Sequence, residues 1–153
     1  MEYSLSNSIL PNNYKVIKNS CQEGHPDESV VWTVYYLEQK AGYVTLKWNS
    51  RYEPFRVKNI PEIIDLKVFP QFRSQGIGTF LLESAEQEAR TRSDSIGLGV
   101  GLYSDYGNAQ RLYVKRGYIP DGCGATYYYE AIVPGIEVQV DDLLLLWFTK
   151  QLR

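Results

Sequence analysis

Apolar positions along the chain follow two periods, and the changes between them divide the sequence into elements. Residues 30–37 are dense in β-branched and aromatic side chains. In 42–48, Val44, Leu46 and Trp48 alternate with Tyr43, Thr45 and Lys47, the period of two that a strand requires. The polar stretch 38–41 between them predicts a turn and hence an antiparallel hairpin. Residues 49–59 read as a polar connection containing Pro54. A third strand is predicted over 63–69, with Pro61 before it and Pro70 closing it. A loop with two glycines and an arginine, 71–78, leads into a helix over 77–92. There Ile77, Leu81, Ala85 and Ala89 recur at i, i+4, and Arg90 and Arg92 suit the C-terminal end of the dipole. A short strand over 96–102 follows, then a helix from about 107 to 116 stopped by Gly117. Strands near 125–133 and 143–150 complete the pattern. Residues 1–29 are polar and weakly patterned, with room for one short strand or helix. No repeat or linker interrupts the order, which predicts one α/β domain over 1–153 built on a mixed sheet.

Composition narrows the function more than the fold. Hydrophobic residues make up 44% of the 153 and charged residues 22%, ordinary for a chain that buries a core. A formal net charge of -2 offers no global attraction to nucleic acid or an anionic membrane. Cys21 and Cys123 lie far apart and read as free thiols. His25, the only histidine, sits in a turn-rich stretch, so neither a histidine metal site nor a Ser-His-Asp triad is expected. The first residues lack the basic and apolar regions of a secretory signal, and the longest apolar run, 143–148, is too short to span a bilayer. The expectation is a cytoplasmic protein with no metal.

The segment 63–79 carries the chemistry. A strand ending Leu66-Lys67-Val68-Phe69-Pro70 feeds through Arg73-Ser74-Gln75-Gly76-Ile77-Gly78 into a helix N-terminus. The first turn of a helix leaves backbone N–H groups without partners at the positive end of its dipole, which makes an anion site. Arg73 adds a permanent charge. The Walker pattern is excluded because no lysine follows Gly78. The dinucleotide fingerprint is excluded because Leu81 stands where its third glycine belongs. Gly97, Gly99 and Gly101 fit neither pattern.

Arg73-x-x-Gly76-x-Gly78, flanked by Leu66-x-Val68-x-Pro70 and by Leu81-Leu82, resembles the coenzyme A pyrophosphate loop of the GNAT superfamily of N-acetyltransferases. A second block, Ala109-Gln110-Arg111-Leu112-Tyr113 through Gly117-Tyr118, is similar to that superfamily's Ala-x-x-Leu-Tyr-x-x-x-Gly-Phe/Tyr segment. The resemblance covers 63–120. It implies a mostly antiparallel sheet flanked by helices and an activity that moves acetyl from acetyl-CoA to an amine by direct attack, acetyl-CoA being the co-substrate. Backbone groups of Leu66 and Val68 would pair with the pantetheine arm where two strands splay, and the Val68 N–H would face the oxyanion. Arg73, Ser74, Gln75, Gly76, Gly78 and Thr79 would cradle the diphosphate. Tyr113 would be the general acid that protonates the departing thiolate.

Two departures stand out. Where many members carry an asparagine seven residues before the tyrosine, this chain has Tyr106, and Asn108 lies two residues later, either replacing it or capping the helix. No glutamate base is visible in 96–102. Glu62 and Asp65 are the carboxylates near the loop, and with regular pleating Asp65 would face away from Ile64, Leu66 and Val68. A water relay, or an amine that arrives neutral, is the alternative. The acceptor, a small-molecule or protein amine, would bind in an open cleft, in one built by 49–59, or in one completed by a second subunit in a homodimer. Two rival functions remain at this stage: a non-catalytic acyl-CoA sensor, and a partner-binding module that uses an aromatic sheet face.

Overall fold

The computed structural model describes residues 10–153. Eight strands form one sheet in the order β1-β2-β3-β4-β5-β8-β6-β7. They are β1 (Tyr14–Cys21), β2 (Ser29–Tyr36), β3 (Gln39–Lys47), β4 (Glu62–Val68), β5 (Ser95–Gly101), β6 (Ile119–Tyr127), β7 (Glu130–Ala131) and β8 (Leu144–Gln151). Every neighbouring pair is antiparallel except β4 and β5, which run parallel. Three α-helices are inserted among the described residues, α1 (Glu53–Val57), α2 (Ile77–Ala89) and α3 (Gly107–Lys115), with single 3-10 turns at Pro70–Phe72 and Ser104–Tyr106.

The core lies between the sheet and α2. Ile77, Phe80, Leu81, Leu82, Ala85 and Ala89 on one stripe of α2 are buried against Ile63, Ile96, Leu98 and Val100 of the central strands. Each large aliphatic or aromatic side chain so buried contributes about 1.5–3 kcal/mol. Ala109 and Tyr113 of α3 join the same cluster, and Arg116 at its C-terminal end pairs with Glu83 of α2 at 2.7 Å. α1 packs elsewhere: Tyr52, Phe55 and Trp147 form a second, separate core.

Several boundaries differ from those the sequence predicts. β1 is a full eight-residue strand inside the weakly patterned 1–29; residues 1–9 lie outside the described residues. The hairpin turn falls at Leu37-Glu38 rather than 38–41, because Tyr36 pairs with Gln39 and Leu37 takes φ 55°. The connection 49–59 contains α1, which starts with Pro54 in its first turn and buries Phe55. α2 ends at Ala89, before Arg90 and Arg92. Arg92 instead lies over the Trp48 ring at 4.2 Å and pairs with Glu28 at 2.8 Å. The strand predicted over 125–133 begins at Ile119 and is interrupted by a register shift between Pro120 and Ala125, where Gly122 and Gly124 take positive φ.

Candidate active site

Parallel pairing of β4 and β5 is confined to two positions, Glu62 with Gly97 and Ile63 with Leu98. Beyond them β4 bulges. On β3, Tyr43 pairs with Lys67 and Thr45 with Ile64, so Asp65 and Leu66 together oppose Val44. Asp65 takes φ 57° to accommodate the extra residue. The regular alternation expected around Asp65 is therefore broken. Its side chain is exposed, and the strand past it leaves β5.

The outer half of β4 presents backbone groups to this opening. Phe69 N–H donates to Ala41 C=O at 2.9 Å, which makes Gly42–Val68 a non-hydrogen-bonded pair. The N–H and C=O of Val68 accordingly point away from β3, toward the gap. Arg73 Nε donates to that same carbonyl at 3.1 Å.

The loop that follows gathers its amides at the start of α2. Phe72 is buried beneath it, while Arg73, Ser74, Gln75 and Gly76 are exposed. Ser74 (φ 64°) and Gly76 (φ 85°) both lie in the left-handed region, and alternation of hand turns successive N–H groups to one side. Gly76 is the N-cap residue and offers no side chain to the first turn, so the N–H groups of Ile77, Gly78 and Thr79 remain open to a ligand. A Cβ on Gly76 would meet nothing within 4 Å. Gly78 sits closer in, where a Cβ would lie 3.7 Å from Val68 Cγ2 and 3.8 Å from Leu112 Cδ2. Strand end, loop and α3 thus converge at one point. Tyr14 on β1 reaches the loop and donates its hydroxyl proton to Gln75 Oε1 at 2.5 Å, its ring held by Tyr36 (4.9 Å) and Phe72 (6.4 Å).

Tyr113 follows Leu112 on α3 and is 7% exposed. Burial raises its hydroxyl to about 12, and no described residue accepts its proton. Its ring meets Tyr118 at 5.9 Å, and the Tyr118 hydroxyl donates to Glu86 Oε2 at 2.8 Å. Lys150 completes that buried set with an ion pair to Glu86 at 3.0 Å. Asn108 is exposed in the first turn of α3. It does not cap the helix, whose N-cap is Tyr106 with no side-chain cap bond. Tyr106 instead lies against Gly101 and donates to Asp142 at 2.8 Å, and Tyr103 donates to the same carboxylate.

Glu62 is the first of the two paired positions. Its side chain shares a face with Gly97, its parallel partner, and is 7% exposed. Ser50 Oγ donates to Glu62 Oε1 at 2.7 Å. Burial raises the carboxyl above the ordinary range and Asp65 adds to this, while Ser50, Lys47 and Arg51 pull the other way.

The glycines of β5 serve neither nucleotide pattern. They leave room for rings. A Cβ at Gly97 would come within 2.3 Å of Phe55, one at Gly99 within 2.9 Å of Trp147, and one at Gly101 within 2.3 Å of Tyr106. Trp147 stacks on Tyr52 at 4.0 Å with planes 2° apart, and Phe55 meets both edge-on. Beside this cluster a cavity of about 290 Å³ is lined by Arg51, Tyr52, Arg56, Cys123, Thr126 and Tyr129, among others. Tyr52 OH donates to Asp121 at 2.6 Å, and its acidity is suppressed by burial and by that carboxylate. The period-two glycines were the signal in the sequence for this cluster, since a strand lacking alternate side chains needs something to fill its face.

Among the described residues there is no group of three or more potential metal ligands, and no helix is long and apolar enough to cross a membrane. Residues 3–118 match the family described as "Acetyltransferase (GNAT) family". No curated protein matches the chain by sequence. Solved structures share its fold. One is described as an acyl-CoA N-acyltransferase from Klebsiella pneumoniae (TM-score 0.60, 18% identity, 92% of this chain and 98% of that one). Another is an acetyltransferase from Streptococcus pneumoniae (0.58, 20%, 85% and 70%). A third is described as a streptothricin acetyltransferase from Bacillus anthracis in complex with acetyl coenzyme A (0.58, 19%, 84% and 64%).

Proposed function

The chain belongs to the GNAT acetyltransferase family, and from that premise we propose that it transfers acetyl from acetyl-CoA to a primary amine by direct attack, in the cytoplasm. The observation that carries this reading is the Val68 N–H turned away from β3 at the β4–β5 opening, beside an uncapped α2 N-terminus. The amides of 74–79 receive the diphosphate, and Leu66 and Val68 offer backbone partners to the pantetheine amides. Val68 C=O keeps a second lone pair for such a partner while Arg73 Nε holds the first, and the Nη groups of the guanidinium are left for the phosphates. Asn108, exposed at the start of α3, is a further cofactor contact.

The acceptor nitrogen attacks the thioester carbonyl, and a C–N bond forms as the C–S bond breaks. Val68 N–H faces the developing oxyanion. Glu62 takes the proton released from nitrogen, and its raised pKa makes it a stronger base than an exposed carboxylate. Asp65 is the second carboxylate within electrostatic reach. Tyr113 supplies the proton to the departing sulfur; its burial keeps it protonated at every physiological pH.

Thiol release from acetyl-CoA against a broad amine panel, with mass detection of the product, tests the reaction. Cofactor binding without turnover would leave an acyl-CoA sensor in its place. Tyr113→Phe is expected to lower kcat by roughly 100-fold while acetyl-CoA affinity stays within about twofold. Equal turnover in the variant removes Tyr113 from the mechanism.

A further inference from the structure

The α1-face cavity is lined by two glutamates, Glu53 and Glu130, and by two arginines in different situations. Arg56 is committed: its Nη1 donates to the carbonyls of Ser50 (3.4 Å) and Arg51 (3.1 Å), and its Nη2 lies 3.8 Å from Glu53. Arg51 has no carboxylate within ion-pair distance among the described residues. Its guanidinium lies over the Tyr129 ring at 5.7 Å. A guanidinium with no carboxylate partner offers a planar fork of donors suited to bidentate capture of a carboxylate.

Position ties this group to the reaction centre. Arg51 directly follows Ser50, whose Oγ donates to Glu62 Oε1 at 2.7 Å. Arg51 is also near enough for its charge to act on the Glu62 carboxyl. The cavity's volume of about 290 Å³ admits a molecule of amino-acid size. We propose that the acceptor is a small amine that also carries a carboxylate, an amino acid in chemical class, with Arg51 holding the carboxylate while the nitrogen faces Glu62.

This inference rests on the acyl-transfer reading. The test uses the full chain with saturating acetyl-CoA and matched acceptor pairs: leucine against isoamylamine, and phenylalanine against phenethylamine. The expected result is a kcat/KM at least tenfold higher for the carboxylate member of a pair. In Arg51→Gln that ratio should collapse toward one, chiefly through a raised KM for the amino acid. Arg51→Lys, which keeps charge but loses the planar fork, should fall between. Equal efficiency for both members of each pair, or a ratio unchanged in Arg51→Gln, overturns the inference. So does calorimetric binding of acetyl-CoA with no turnover of either amino acid. Failure of acetyl-CoA to bind the unaltered protein strikes the acyl-transfer reading itself, a distinct readout. A role for Arg51 that is only structural would lower the melting temperature and leave the ratio untouched.

Discussion

The two faces of the sheet at the β4–β5 opening are built by different means. On the α2 face the proposed cofactor surface is main chain: the Val68 N–H, the left-handed residues Ser74 and Gly76, and the open first turn of α2. All of it comes from 17 consecutive residues, 63–79. On the α1 face the cavity wall is side chain, assembled from residues 51–54, 56, 123, 126 and 129–131 that meet only when the sheet closes. Backbone donors suit an invariant diphosphate, because any residue supplies them. Side chains suit an acceptor that must be told from other amines.

The contrast breaks most sharply at Glu62. Glu62→Gln should cost roughly 100-fold in kcat with cofactor affinity retained, measured by steady-state kinetics beside calorimetry. The pH profile adds the sign. Glu62 acts only when ionised and its pKa is raised, so the rate should fall on acidification from a higher pH than an ordinary carboxylate would give. Ser50 donates to the ionised form and lowers the pKa, so Ser50→Ala should move that acid limb further upward. An unmoved limb would separate Glu62 from the rate.

Next in size is Gly97→Ala. The new methyl would sit 2.3 Å from Phe55, a ring 1% exposed and walled by Tyr52 and Trp147, so relief requires repacking. Overpacking of this kind costs about 1–3 kcal/mol, read as a lower melting temperature, and it should harm acceptor KM more than cofactor affinity. The smallest effect belongs to the backbone face. Gly76→Ala has open space but an unfavourable φ of 85°. The strain is about 1 kcal/mol, and a loop that relaxes to escape it should bind acetyl-CoA roughly fivefold more weakly. If Gly76→Ala harmed the acceptor KM and Gly97→Ala the cofactor, the assignment of the two faces would be reversed.

Legibility in the sequence divides along the same line. The loop and α2 read directly because strand, glycines and helix are contiguous and each has its own period. α1 was missed because five residues opening on Pro54 show no period of 3.6. β1 was faint because it buries only Val16 fully and its remaining positions are polar or partly exposed. The face of Asp65 could not be read because a bulge adds one residue and leaves no mark in composition. Gly97, Gly99 and Gly101 were visible as a pattern, yet the pattern records volumes belonging to Phe55, Trp147 and Tyr106, far off along the chain. The role assigned to Tyr113 rests on resemblance and those assigned to Glu62 and Asp65 on their place near the loop, and kinetics decides all three.

Tyr14 gives the outermost strand a stake in the anion loop through Gln75. An outermost strand frays first, so its amides should trade hydrogen for deuterium quickly in the empty protein and more slowly once the loop is filled. The margin of the sheet would then serve as a gauge of occupancy, legible by mass spectrometry far from any reacting atom.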